Sequence, residues 1–346
     1  MSQITLAVKY RPNSWEDYVS QESVSLILQQ QIKTETFKNG YLFIGPSGTG
    51  KTTVARLFAN EINKGKGSPI EIDAASNSGV DNIRELNEQA RKKPIDSDYK
   101  IFIIDEVHSL SSQSWQAMLK TLEDCPKSTI FLLCTTEFEK VPATIKNRVQ
   151  TYQLSKISND KIFNRLKYIS DNEDFNYTDE ALQQITKMAN GGMRDSITML
   201  DKVSSLNSKI TIESVVSALG TVDYDVYFDL LESMLDSKLD NSIKLLEYVH
   251  SQGKDLKQFI KQFQYFVVDI SKYNLFNNFS YTQIPETDKN KKRMQFLKGD
   301  TVSILNFIIS INEVIKWENN PLYAIQSMFI SYMNEKKGVE SNDGGR

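Results

Sequence analysis

Residues 45 to 52 read Gly45-Pro46-Ser47-Gly48-Thr49-Gly50-Lys51-Thr52, the pattern G-x-x-x-x-G-K-[ST]. These residue types suit one task, holding a chain of phosphates. Glycines let the backbone curl so that N–H groups and a helix N-terminus face anionic oxygens. Lys51 then reaches the β- and γ-phosphates, and the Thr52 hydroxyl binds Mg²⁺. Average residue usage yields such a match by chance on the order of once in a hundred chains, before a flanking strand and helix are required. Downstream, Ile101-Phe102-Ile103-Ile104-Asp105-Glu106 is an apolar run ending in two carboxylates. A buried strand delivers that pair to the ligand edge of a parallel sheet, where Asp105 would hold Mg²⁺ through water and Glu106 would polarise an attacking water. Such a pair predicts a hydrolase rather than a passive nucleotide binder. A third apolar run, Ile130 to Thr136, ends in hydroxyls. One of them could bond a γ-phosphate or the lytic water, although a strand-end threonine usually caps the next turn. Arg148 and Arg194 carry no signal by themselves, because most arginines are solvated.

A scaffold must bring these groups to one edge. Short β-branched or aromatic runs at Tyr41 to Gly45, Ile70 to Ala74, Ile101 to Asp105, Ile130 to Thr135 and Val149 to Leu154 alternate with helical patterns. Continuous apolar runs such as IFII and IFLL fit strands covered on both faces, so the block 1–154 is expected to be α/β with a five-stranded parallel sheet. From 155 to 219 helices take over. Thr178 is a good N-cap, with Asp179 and Glu180 in the first turn, and Gly191 is expected to end that helix. A third block, 220–334, keeps apolar residues at i, i+3 and i+4. Its Lys-rich stretch from Thr287 to Arg293 reads as a loop before two last helices, and 335–346 lacks periodicity and is expected to be a disordered tail. Lys plus Arg number 41 against 44 Asp plus Glu, for a net charge of −3, so any nucleic-acid contact must come from a local patch. Two cysteines and two histidines cannot assemble a Cys/His zinc cluster. No apolar run is long enough to span a membrane and the start lacks a signal-peptide pattern, so a cytoplasmic location is expected.

Taken together, these motifs resemble the AAA+ ATPases, specifically the ATPase subunits of sliding-clamp loaders: bacterial gamma/tau, the small subunits of replication factor C, and phage counterparts. Lys9-Tyr10-Arg11-Pro12 with Trp15, Asp17-Tyr18-Val19 and Gln21-Glu22 is similar to the family's segment over the adenine, and Asp105-Glu106-Val107-His108 to its DE-V-H box. Ile70 to Ser76, IEIDAAS, is very close to gamma/tau sequence. The resemblance implies a P-loop nucleotide domain (1–154), a helical lid (155–219) and a helical collar (220–334) for a pentameric ring. It implies ATP contacts from Ala7, Tyr10, Val19, Gly48, Thr49, Gly50, Lys51, Thr52, Thr53 and Arg194, with Mg²⁺ on Thr52 and Asp105. Thr136 falls on the sensor-1 position, Arg194 on sensor 2, and Arg148 on the arginine finger, which acts in trans on a neighbour's ATP. DNA contacts would come from Ser76, Asn77, Ser78 and Arg84 near a helix start; equally, these residues could simply open a helix. Implied partners are a sliding clamp, primer-template DNA and other subunits or copies of the chain.

Three features depart from the family pattern. The loop Asn60 to Pro69 has no cysteine where cellular gamma/tau subunits insert a four-cysteine zinc module, so no zinc is expected. Asn147-Arg148-Val149 stands where Ser-Arg-Cys is usual, and no long tau extension follows the collar. Together these suggest a stripped-down loader of phage or small-genome origin. The alternative reading, a AAA+ branch-migration helicase, requires a DNA-binding winged-helix block at the C-terminus, whereas the block here reads as long, helical and not basic. A ring subunit without turnover is disfavoured by intact Lys51, Thr52, Asp105 and Glu106.

Overall fold

The computed structural model describes residues 4–76, 79–206, 209–219, 224–284 and 287–343. Two compact units divide the chain, Met1–Ile210 and Thr211–Arg346.

In the first unit, α1 (Leu6–Lys9) and α2 (Glu22–Thr34) precede an alternation of strands and helices. It runs β1 (Gly40–Ile44), α3 (Lys51–Ile62), β2 (Ile70–Asp73), α4 (Val80–Arg91), β3 (Lys100–Asp105), α5 (Ser112–Asp124), β4 (Thr129–Thr135), α6 (Ala143–Lys146) and β5 (Gln150–Gln153). The five strands pair in parallel in the order β2-β3-β4-β1-β5. The expected sheet is therefore present. Its chemistry follows from the two-residue strand period. Tyr41, Phe43, Ile101, Ile103, Ile130, Leu132 and Cys134 pack on one face with residues of α2 and α3. Their alternates Leu42, Ile44, Phe102, Ile104, Phe131 and Leu133 pack on the other with residues of α4 and α5. Burial on both faces explains why the runs are continuously apolar rather than alternating. Because β1 and β3 flank β4, the loop after β1 and the carboxylates after β3 open on either side of one strand end.

The lid comprises α7 (Asn159–Asn172), β6 (Asn176–Tyr177), α8 (Asp179–Met188), α9 (Met193–Leu206) and β7 (Lys209–Ile210). Thr178 caps α8, its hydroxyl accepting from Ala181 N–H. Sequence reading finds no strand here, yet β6 and β7 form a two-residue parallel pair too short for periodicity to register. The lid belongs to the same compact unit as the sheet.

The second unit contains α10 (Ile212–Leu219), α11 (Tyr224–Leu235), α12 (Leu239–Ser251), α13 (Leu256–Phe276), α14 (Asp288–Phe296), α15 (Thr301–Ile315) and α16 (Pro321–Asp343). The helix α10, expected within the lid, falls on this side of the division. Two other expectations need correction. The stretch read as a loop, Thr287 to Arg293, opens α14: Thr287 caps it by accepting from Asn290 N–H, Asn290 and Met294 are buried, and Arg293 pairs with Asp229 at 2.5 Å and Glu232 at 2.8 Å. Its lysine-rich composition hid a capped helix. Secondly, α16 continues past Asn334 to Asp343, so the backbone of the expected tail is helical to that point.

Phe131 is fully buried in β4, stacked on Phe102 with centroids 5.2 Å apart. Phe131→Ala should lower stability by about 3–5 kcal/mol. Urea denaturation checks this, and a change under about 1 kcal/mol would remove Phe131 from the set of core determinants.

Candidate nucleotide site

The loop after β1 turns back through left-handed backbone. At Gly50, φ is +98°, and a Cβ would sit 2.8 Å from the Tyr18 hydroxyl, which itself donates to the Gly50 carbonyl at 3.2 Å. At Gly45, a Cβ would run into the Leu154 carbonyl. Only glycine meets both requirements. The loop delivers Lys51 to the first turn of α3, 6% exposed, with its ammonium donating to the carbonyls of Gly45 (3.0 Å) and Pro46 (2.9 Å). Burial pulls this lysine below its ordinary value, while the neighbouring Glu106 and Asp105 carboxylates oppose the shift. A buried cation satisfied only by carbonyls is suited to receiving an anion.

Across the crevice, Asp105 ends β3 and its Oδ2 accepts from the Thr52 hydroxyl at 2.7 Å. A hydroxyl and a carboxylate are the hard oxygen donors that Mg²⁺ takes alongside phosphate oxygens, so the residues fit that ion. Glu106 takes φ +48°, in the left-handed region, which ends the strand's alternation. Its Oε2 accepts from the Thr136 hydroxyl at 3.2 Å and lies 3.2 Å from His108 Nδ1. Thr136 thus reaches the site through Glu106 and is not itself among the residues lining the cleft. In the sequence His108 is only part of a motif, and no pattern there announces its contacts.

The cleft closes against the lid. Ala7, Tyr10, Val19, Gly48, Thr49, Gly50, Lys51, Thr52, Thr53, Asp105, Glu106 and Arg194 all line it. So do residues that sequence reasoning did not assign to nucleotide contact: Arg11, Pro12, Asp17, Tyr18, Ser47, Ile157, Arg165, Met193 and Ile197. Ile157, Met193 and Ile197 give the lid wall an apolar character suited to a base, but in the sequence they look like ordinary core positions. The α1 segment is tied to the lid at each end. Leu6 N–H donates to Asp201 Oδ2 (3.1 Å), Lys9 pairs with Glu173 Oε1 (2.6 Å), Tyr10 donates to the same oxygen, and Arg165 donates to the Tyr10 carbonyl (3.0 Å). On the other side, Met193 N–H donates to the Gly48 carbonyl at 2.9 Å, which links the lid to the phosphate loop. Near the crossing from sheet to lid, Gln21 is buried and its amide pairs both ways with Ser155, donating to its carbonyl (2.7 Å) and accepting from its N–H (3.1 Å).

Arg148 lies outside the cleft, after α6, where it pairs with Glu123 of α5 and donates to the Thr144 carbonyl at 2.9 Å. Of the residues expected near DNA, Ser76 is exposed and donates to Asp73 Oδ2 at 2.9 Å, and Arg84 is exposed on α4. Asn77 and Ser78 lie outside the described residues.

Comparison with known proteins bears on this arrangement. A family model described as the ATPase lid domain of the DNA polymerase III clamp loader subunit matches residues 161–203, and one described as DNA polymerase III, delta subunit, matches 68–158. The chain is 33% identical to the tau subunit of DNA polymerase III from Bacillus subtilis over 93% of its own length, and spans 62% of that relative. It is 31% identical to the gamma subunit from Buchnera aphidicola, covering 77% of this chain and 80% of the relative. Among solved structures, the Thermotoga maritima RuvB Holliday junction branch migration motor superposes with a TM-score of 0.51 at 19% identity, covering 71% of this chain and 86% of that one. That likeness shows the fold alone, a parallel sheet covered by helices with further helices after it. With a gamma subunit matched over four-fifths of its length and a clamp-loader lid model falling in the first unit, the chain belongs to the gamma/tau family of DNA polymerase III clamp-loader subunits.

Proposed function

We propose that the chain is the ATP-hydrolysing subunit of a sliding-clamp loader: ATP binding drives clamp opening and grip on a primer-template junction, and DNA-triggered hydrolysis releases the clamp. One observation carries the catalytic half of this reading. The buried Lys51 ammonium, the Thr52–Asp105 pair and the Glu106 carboxylate converge at one sheet edge beneath a lid that contributes Arg194. Lys51 would exchange its two carbonyls for β- and γ-phosphate oxygens. Mg²⁺, held by Thr52 and Asp105, would neutralise phosphate charge. Glu106 would polarise the attacking water, and Arg194, on the first turn of α9, would carry the γ-phosphate state into the lid angle.

Arg148 is the finger offered to a neighbouring subunit's ATP; its exposed position outside its own cleft supports action in trans. A pentameric ring, with the second unit as collar, supplies that neighbour. Ser76, Asn77, Ser78 and Arg84 are proposed to track the DNA backbone, and the cytoplasm is the proposed location. No helix among the described residues is long and apolar enough to cross a membrane. The rival reading, a branch-migration motor, called for a winged-helix block. Among its described residues the second unit has helices and no strand, which favours the loader.

Glu106→Gln should keep ATP binding and lose turnover by about 10²- to 10⁴-fold, measured by phosphate release in the assembled ring. Wild-type turnover would remove Glu106 from the water-activating role. For Arg148→Ala, ATP affinity should hold while hydrolysis stimulated by clamp and DNA falls about 10³-fold or more; unchanged stimulation would discount the finger.

The strap formed by Lys9 and Tyr10, which ties the α1 segment to Glu173, yields another prediction. Bonds from Lys9 and Tyr10 hold the Glu173 carboxyl below its ordinary value. A lowered folded-state value means that its stabilisation is complete above the ordinary carboxylate range and is lost as pH falls through the lowered one. Glu173→Gln should therefore weaken binding of a fluorescent ATP analogue about 2- to 5-fold at neutral pH, the scale of an exposed ion pair, and matter less in acid. Equal affinity in the two proteins at neutral pH would detach the strap from nucleotide binding.

A further inference from the structure

A second group stands at the Glu106 carboxylate beside the Thr136 hydroxyl. His108 stands on the 3₁₀ turn Val107–Ser109, whose Val107 is fully buried and whose Ser109 N–H donates to the Glu106 carbonyl at 2.9 Å. That turn fixes the ring between two strand ends. Its Nδ1 lies 3.2 Å from Glu106 Oε2 and 3.0 Å from Thr135 Oγ1, and its Nε2 lies 3.1 Å from Glu137 Oε1. The side chain is 14% exposed. Glu137 is anchored in turn: its N–H donates to Thr135 Oγ1 at 3.0 Å, and its other carboxylate oxygen pairs with Lys140 at 2.8 Å.

We propose that His108, with a proton on each ring nitrogen, is a positioning residue for the water-activating carboxylate, and that Glu137 orients its ring; both neighbours are carboxylates that only accept, so each nitrogen donates. The inference rests on the role given to Glu106 above. Both contacts to the Glu106 carboxylate, from Thr136 and from His108, fall on Oε2. Fixing one oxygen stops the carboxylate from rotating and leaves Oε1 to face the water. A base that samples several rotamers is aligned with its water only part of the time. The arrangement parallels the way a carboxylate fixes the ring of a catalytic histidine, with the order of the groups reversed. Glu137 opens the segment that runs through α6 to Arg148, so the orienting group and the finger share one stretch of chain.

Asn and Gln separate the two ring nitrogens, since an Asn amide reaches the position of Nδ1 and a Gln amide that of Nε2. In the ring assembled with its natural partners, His108→Ala should lower kcat about 10- to 100-fold with KM unchanged, the range for groups that orient a reacting side chain. His108→Asn should recover most of the loss and His108→Gln little of it. Combined with Glu106→Gln, the alanine change should add nothing further. Unchanged kcat in His108→Ala, a loss confined to KM, or better rescue by Gln than by Asn would overturn the assignment. If Glu106→Gln abolishes turnover while His108→Ala does not alter it, only the His108 proposal fails; if Glu106→Gln turns over normally, the reading beneath it fails. A second measurement avoids dependence on folding of the alanine variant. His108 and His250 are the two histidines of the chain, so long-range ¹H–¹⁵N spectra of the ring nitrogens resolve them. Glu106→Gln should move the His108 Nδ1 resonance and Glu137→Gln its Nε2 resonance, with His250 unchanged. Unmoved His108 resonances in both variants would also overturn the proposal.

Discussion

A lysine ammonium taken out of water and given only two carbonyl oxygens is the constraint around which the first unit is organised. Removing that charge from water is unfavourable, and Gly45 and Pro46 compensate only in part, as its lowered proton affinity indicates. The arrangement persists because the loop has no freedom to let Lys51 out. Missing side chains at Gly45 and Gly50 allow the loop to press against Leu154 and Tyr18, and the Tyr18 hydroxyl ties the last turn down. Tyr18 is itself packed with Val24 and Leu28 of α2 and Val54 of α3. The sheet core thus sets the position of a charge, and the charge sets what ligand the cleft prefers.

Under the proposed function, the phosphate loop stays with the sheet and the lid is the part that turns. Two connections link the lid to the cleft by different routes. Gly48 accepts from Met193 at the start of α9, so the lid touches the loop through backbone, and α1 is bonded to α7 and α9 through Leu6, Lys9 and Tyr10. The segment that lines the proposed base site is therefore held by the lid, whereas Trp15 and Tyr18 a few residues later pack with the sheet core. Arg11 to Ser14 spans the change of allegiance. Gln21, paired both ways with Ser155, holds the chain near the crossing from β5 to the lid. Under that reading, a lid rotation about Ser155 would carry Ala7, Tyr10 and Arg194 with it and reshape the cleft around Lys51, Thr52 and Asp105, which stay with the sheet.

Much of this was legible in the sequence, for a physical reason that also explains what was not. Strands buried on both faces write their burial into consecutive residues, so β1, β3 and β4 stand out, and the phosphate loop is local in sequence by construction. Contacts between distant segments leave no such trace. The bond from Arg165 to Tyr10, the approach of His108 to Glu137, and the apolar wall of Ile157, Met193 and Ile197 depend on how the lid and strand ends come together. Thr287 to Arg293 shows the converse: local composition suggested a loop, but a capping hydroxyl and an arginine facing Asp229 and Glu232 of α11 make it a helix. At β6 and β7 there was too little chain for any period to develop.

The contrast between Lys51 and Arg148 gives the two cations separate kinds of duty. Lys51 is dry and held, so its preference for phosphate is built in before ligand arrives. Arg148 is about 40% exposed and paired with Glu123, itself comparably exposed, an interaction worth about 0–1 kcal/mol in water. Releasing it therefore requires little energy, and a neighbouring γ-phosphate excluded from solvent could readily outcompete a single solvated carboxylate. Under the proposed function the cleft has its own phosphate lysine, metal-binding pair, base and lid arginine, and lacks this one arginine, which stands after α6 in a weakly held pair with Glu123. Under the proposed function, that asymmetry makes binding a property of one chain and rapid hydrolysis a property of two. Pairing two chains then needs no large rearrangement at Arg148, only the exchange of Glu123 for a phosphate.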